Sequence, residues 1–263
     1  MVGTSYRRAM CGIELCGIYI TYDNFTCSKK NEFKPHLKRC WCIPPEQNAA
    51  FVAAMEDVLA VYSRPYNANM PVICMDEKPV QFFASARKSI RSRDGRIEYE
   101  DNEYIRNGTA AIFMFTEPLG GWRYANAKEH RTRKDWAKQI EWLLTKQYPH
   151  AQKVVIVMDN LNTHTIASLY QTFEPKYAFE LANRLEIHFT PKHGSWLDIA
   201  EIELSALGRQ CIGSQRIPDI KTLQALLVPW CKNRNYKQRG VDWQFTLEDA
   251  RVKLKHLYPV INI

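Results

Sequence analysis

KVVIVMDNLNTH, residues 153–164, is the stretch from which the fold can be read. Val154 to Val157 is an unbroken β-branched run, followed after Met158 by the carboxylate of Asp159. That length and composition suit a strand buried on both faces, the kind found inside parallel sheets. Open α/β sheets bind ligands just beyond the carboxyl ends of such strands, so Asp159 stands where a cleft is expected. The competing reading of Asp159 and Asn160 is a plain turn before a helix capped by Asn162 or Thr163.

Upstream, PVICM at 71–75 repeats the pattern, a short apolar run that places Asp76 at its end. Two strands ending in aspartate favour a functional role over two coincidental turns. Between them, GTAAIFMFT (108–116) and WRYANA (122–127) read as an antiparallel hairpin, joined through Pro118, Gly120 and Gly121. Thr132 to Tyr148 has Trp136, Ile140, Leu143 and Leu144 at helical spacing and is stopped by Pro149. Gln47 to Tyr62 predicts a docking helix, and Ile166 to Ala182 a single helix despite Pro175. LEIHFT at 185–190 predicts a third buried strand. The helix expected over Leu197–Gln210 buries Leu197, Ala200, Leu204 and Leu207, with Glu201 and Glu203 flanking that stripe on opposite sides. Periodicity does not choose between them. A further helix is expected over Asp219–Asn233, kinked or ended near Pro229.

The chain has 263 residues, 46% of them hydrophobic, and a net charge of +8, which fits a folded protein with a bias toward polyanions. Its 8 cysteines form no CxxC pair, which favours reduced, mostly packing thiols over a zinc site. No signal peptide and no membrane-spanning run is evident, so a cytoplasmic protein is expected. Pro44-Pro45 marks a boundary between a segment at 1–43 and a domain at 44–263. The basic run ARKSIRSRDGR at 86–96, with Arg91 and Arg93, is either a solvated loop or an arm lying on phosphates.

The order of these elements matches an α/β, ribonuclease-H-like fold: a mixed β-sheet flanked by helices, with acids from separate segments at one edge. Acids so crowded call for a hard cation such as Mg2+, which takes oxygen ligands. CMDEKPVQ at 74–81, YIRNGT at 104–109, VMDNLNTH at 157–164, HFTPKHGSWLDIAEIELS at 188–205 and VDWQFTLEDARVKL at 241–254 resemble transposases of the bacterial insertion-sequence-630 family, in the mariner superfamily. The resemblance runs from about Lys29 to the end.

The resemblance implies a metal-dependent catalytic domain with Asp76, Asp159 and Glu201 as catalytic acids and ligands of two Mg2+ or Mn2+ ions. Glu201 is favoured because the family places its glutamate three residues after an Asn that follows Leu. Here Asp198 takes that Asn's place after Leu197, and Glu203 and Asp198 stay as alternatives. The implied partner is double-stranded DNA, both transposon ends and a target, with a preference for TA targets; a homodimer is a candidate assembly. Lys78, Arg91, Arg93, Asn160, His164, His193 and Trp196 are candidate DNA contacts. For Asn160 and His164 a helix cap and a core histidine are equal alternatives, and Trp196 could equally anchor its loop. Residues 1–28 do not resemble the DNA-binding modules of such transposases, and read as the remnant of a truncated copy. The rival functions are an inactive DNA-binding remnant and a stand-alone nuclease acting on RNA–DNA hybrids.

Overall fold

The computed structural model describes residues 47–87, 90–91, 98–99, 102–213 and 215–260. The segment at 1–43, its boundary and Arg93 lie outside the described residues, as does the side chain of Arg91. The chain forms α1 (Ala49–Tyr62), β1 (Val72–Ser85), β2 (Ile90–Arg91), β3 (Glu98–Tyr99), β4 (Tyr104–Glu117), β5 (Trp122–Lys128), α2 (Arg133–Trp142), β6 (Val154–Met158), α3 (Ile166–Tyr170), α4 (Pro175–Asn183), β7 (Leu185–Phe189), α5 (Ile199–Leu207), α6 (Ile220–Tyr236) and α7 (Leu247–Lys253). Among the described residues, β2 and β3 pair only with each other. The other five strands form one sheet in the order β5-β4-β1-β6-β7. β1 runs antiparallel to β4 and parallel to β6, so the sheet is mixed.

Alternation along the strands divides the interior into two cores. Cys74, Val80, Ile112, Met114, Val155 and Val157 face the core roofed by α1, α5, α6 and α7. Ile73, Met75, Phe113, Phe115, Ile156 and Met158 face the one roofed by α2, α3 and α4. All five residues of β6 are buried, as its uniform β-branched run requires of a strand covered on both faces.

The open edge of β5 is closed by side chains of α6. Asn235 accepts from the Arg123 N–H and donates to the Arg123 carbonyl, each at 2.8 Å, and Gln224 accepts from the Ala127 N–H at 2.9 Å. These bonds occupy backbone groups that would otherwise recruit another strand. No helix among the described residues is long and apolar enough to cross a membrane.

Three expectations are corrected. The strand beginning near Pro71 does not end before Asp76: its antiparallel partner β4 continues opposite it, Asp76 facing Met114, and β1 extends to Ser85. Ile166–Ala182 is two helices, because Pro175 lacks the N–H an interior position needs and instead opens α4 at its first turn. Of the two outcomes expected at Pro229, a kink or an end, the end is the one corrected: α6 runs on to Tyr236.

Candidate active site

Asp76 and Asp159 meet because of strand register. Met75 lies opposite Met158 on the parallel pair β1 and β6, so the two aspartates are the next residues on adjacent strands. Alternation turns Asp76 toward the core that contains α5, the side occupied by Cys74 and Val80. α5 enters from the end of β7 through a loop tied back to β6 by the Thr190 N–H, which donates to the Met158 carbonyl at 2.9 Å. Asp198 caps α5, its Oδ1 accepting from the Ala200 N–H at 2.8 Å. Glu201 lies in the first turn that this cap fixes, half-buried and hydrogen-bonded to Ser195.

The charges of these acids act on one another. Burial raises Asp76 to about 7; a hydrogen bond from the Glu77 N–H opposes this, while Glu201, Asp159 and Glu77 reinforce it. Burial also pushes Glu201 up, with Asp159 adding to it against the Ser195 bond. Asp198 is 2% exposed and is pushed well above the carboxylate range by burial and then by Asp76. Its Oδ2 is buried with no hydrogen-bond partner. Burial thus disfavours the charge on Asp76, Asp198 and Glu201, which lie together with Asp159 at the end of β6 and the start of α5.

A second acid on β1 is used differently. Glu77 alternates to the opposite face, where its Oε1 lies 3.0 Å from Nε2 of His164. Nδ1 of His164 lies 2.7 Å from Oδ1 of Asp159 and 3.2 Å from the Asp159 carbonyl. With acceptors at both nitrogens, the ring carries both protons. Burial would push its pKa down, but the bonds to Asp159 and Glu77 outweigh this and raise it to about 9. The ring stacks beside Trp136 at 6.0 Å and is 0% exposed. His164 therefore orients Asp159 from inside the fold; the expectation that it touches DNA is corrected by this burial.

The two glutamates of α5 have separate surroundings. Glu203 is 2% exposed and forms ion pairs with Arg123 at 3.0 Å and Arg234 at 2.7 Å, joining α5 to β5 and α6. Glu201 alone of the two faces the aspartates.

Residues 71–224, more than half of the chain, match the family described as DDE superfamily endonuclease. The chain belongs to this family. No curated protein is similar to it at the level of sequence. Among solved structures, the Mos1 mariner paired-end complex with Mn is 16% identical, covering 86% of this chain and 66% of that one, with a TM-score of 0.50. The Mos1 strand transfer complex is 15% identical, with coverages of 84% and 64% and a TM-score of 0.50. The Mos1 transposase paired-end complex with left transposon end is also 15% identical, with coverages of 87% and 66% and a TM-score of 0.51. The chain thus spans about two thirds of the length of these structures. The likeness shows that the DDE endonuclease domain has the ribonuclease-H-like fold.

Other candidates of this endonuclease domain are less uniform. Asn160 and His193 are exposed on loops flanking the acids, and His193 adopts a left-handed φ of 65°. Lys78 is partly exposed on β1, on the same face as Asp76. Trp196 is half-buried, its ring 5.7 Å from Phe245 and its indole nitrogen buried. That placement favours the alternative in which Trp196 anchors its loop to the core. Glu77 escaped the sequence reading of the site, although alternation next to Asp76 already sends position 77 to the other face.

The donor set suits a hard divalent cation: it is all carboxylate oxygen, mutually repelling, with a buried oxygen of Asp198 lacking a partner. As they stand, no three His, Cys, Asp or Glu side chains among the described residues form a closed metal-holding cluster. The fit is therefore one of donor chemistry and charge.

Proposed function

We propose that this domain is the catalytic part of an insertion-sequence-630-type transposase. It cuts DNA at the ends of its element and joins the freed 3′ end to target DNA. The observation that carries this reading is the register of β1 against β6, which sets Asp76 beside Asp159, with Glu201 brought over them by the capped start of α5. Asp76, Asp159 and Glu201 would hold Mg2+ or Mn2+. Such a cation, when bound, activates the attacking oxygen and stabilises the leaving one in phosphodiester displacement.

The chain's own residues supply position. His164 holds Asp159 in one orientation, the Asp198 cap fixes where α5 begins, and Ser195 restrains Glu201. The Mos1 structures, one with Mn and one with a left transposon end, support DNA as the substrate. The test is Mg2+- or Mn2+-dependent cleavage and strand transfer on duplexes carrying the repeats that flank this reading frame. Asp159→Ala should abolish both steps while the protein stays folded. Undiminished activity in that variant, or cleavage of a generic RNA–DNA hybrid with indifference to the repeats, would overturn the reading.

A further inference from the structure

Beyond the acids, β1 continues on the same face as the wall of an open groove. Two hollows, of about 560 Å³ and about 420 Å³, share Val80, Gln81, Ile212 and Gly213 and so form one channel. The nearer one is lined by Lys78 and Arg209, the farther by Arg216. Opposite β1 the wall is the π-helical turn Gly208–Ile212 that extends α5. A Cβ at position 208 would stand 3.0 Å from Lys78 Nζ, so the ammonium lies over the start of that turn. The far end is fixed by the Phe83 N–H, which donates to the Ile217 carbonyl at 2.9 Å.

Charge decides what such a channel can hold. None of the described residues lining either hollow is Asp or Glu. Among the described residues, Lys78 and Arg209 therefore line a hollow without acids, next to a site where negative charge is concentrated. At about 3.3 Å per residue, β1 carries the wall roughly 20 Å from Asp76 to Phe83, enough for several successive phosphates.

We infer that this groove carries the phosphate backbone of one DNA strand away from the acid cluster, with Lys78 and Arg209 contacting successive phosphates. The inference rests on the reading of the acid cluster as a DNA-cleaving site. It adds a track and a direction that the acids do not specify.

The test is fluorescence anisotropy with a labelled DNA duplex of about 30 base pairs, titrated at salt concentrations from about 50 to about 200 mM. Lys78→Gln combined with Arg209→Gln should lower the slope of log affinity against log salt by about 2, one for each lost phosphate contact. Lys134→Gln combined with Lys138→Gln removes the same charge from exposed positions on α2, across the sheet, and should leave the slope near that of the parent. Arg209→Glu, at an exposed position where folding is not at stake, should weaken binding further than Arg209→Gln. Equal slopes for the groove pair and the α2 pair would overturn the groove while leaving the DNA reading intact. Failure of the parent protein to bind the duplex would overturn both.

Discussion

Glu201 and Glu203 are two residues apart on one helix, and their surroundings predict opposite consequences of the same substitution. Glu203→Gln removes the charge between two guanidinium groups, of which Arg123 is 2% exposed by side chain and Arg234 is 25% exposed. Breaking a buried ion pair on one side costs about 3–5 kcal/mol. The lower end applies, because Arg234 can rehydrate and Arg123 keeps the Gly121 carbonyl as an acceptor at 2.7 Å. A loss of about 3 kcal/mol lowers the melting temperature of a domain this size by about 6–12 °C. Glu201→Gln instead relieves a carboxylate that burial and Asp159 already disfavour, so in metal-free buffer its melting temperature should equal or exceed the parent's. Cleavage should behave in reverse. It falls by on the order of a hundredfold or more in Glu201→Gln, and persists in Glu203→Gln well below that variant's melting point. Thermal unfolding by circular dichroism and single-turnover cleavage on the same preparations read both quantities. A Glu203→Gln protein that melts like the parent but does not cleave would refute the reasoning and move the third acid to position 203.

Three further outcomes are expected. Asn235→Ala strips two backbone partners from β5 and should cost about 1–3 kcal/mol in denaturant unfolding, with concentration-dependent aggregation as the exposed edge pairs; a variant as stable and as soluble as the parent would contradict the edge assignment. Glu117 is raised by burial against a hydrogen bond from Tyr148, so the stability it confers is present below its unfolded pKa and lost as pH rises through its folded value. The stability of the parent relative to Glu117→Gln should therefore decline as pH climbs from about 4 toward neutrality, and a flat difference in urea unfolding would exclude this. Mg2+ at about ten times its dissociation constant should stabilise the parent by about 1.4 kcal/mol, reversed by chelation and lost in Asp76→Asn; an equal shift in that variant would place the ion elsewhere.

The two-sided burial of VVIVM was legible because a strand covered on both faces must be apolar throughout, and β6 is. The extent of β1 was not, because Glu77, Lys78 and Pro79 interrupt the apolar run and only pairing with β4, a non-local fact, keeps them in the strand. Likewise the choice between Glu201 and Glu203 depends on Arg123 and Arg234, which come from distant segments. A local trace of it exists: in WRYANA, Arg123 alternates in phase with Ala125 and Ala127, which puts a cation on an inward face in need of a buried anion. His164 was left between core and surface because one histidine carries no period; its partner at Glu77 is 87 positions away.

Glu77 and His164 show why the site is built across the sheet and not only on its exposed side. Neighbouring residues of a strand point to opposite faces, so Asp76 cannot be braced by its own neighbour on its own side. Glu77 instead reaches through the far core to His164, which returns to Asp159 on the adjacent strand. The two aspartates, adjacent by register, are thereby linked a second time through a buried imidazolium that water does not reach. That bridge holds Asp159 from the side opposite α5, close enough to Asp76 and Glu201 for the charges to act on one another. The opening stretch KVVIVMDNLNTH thus contains both the acid and, five residues on, the group that holds it in place.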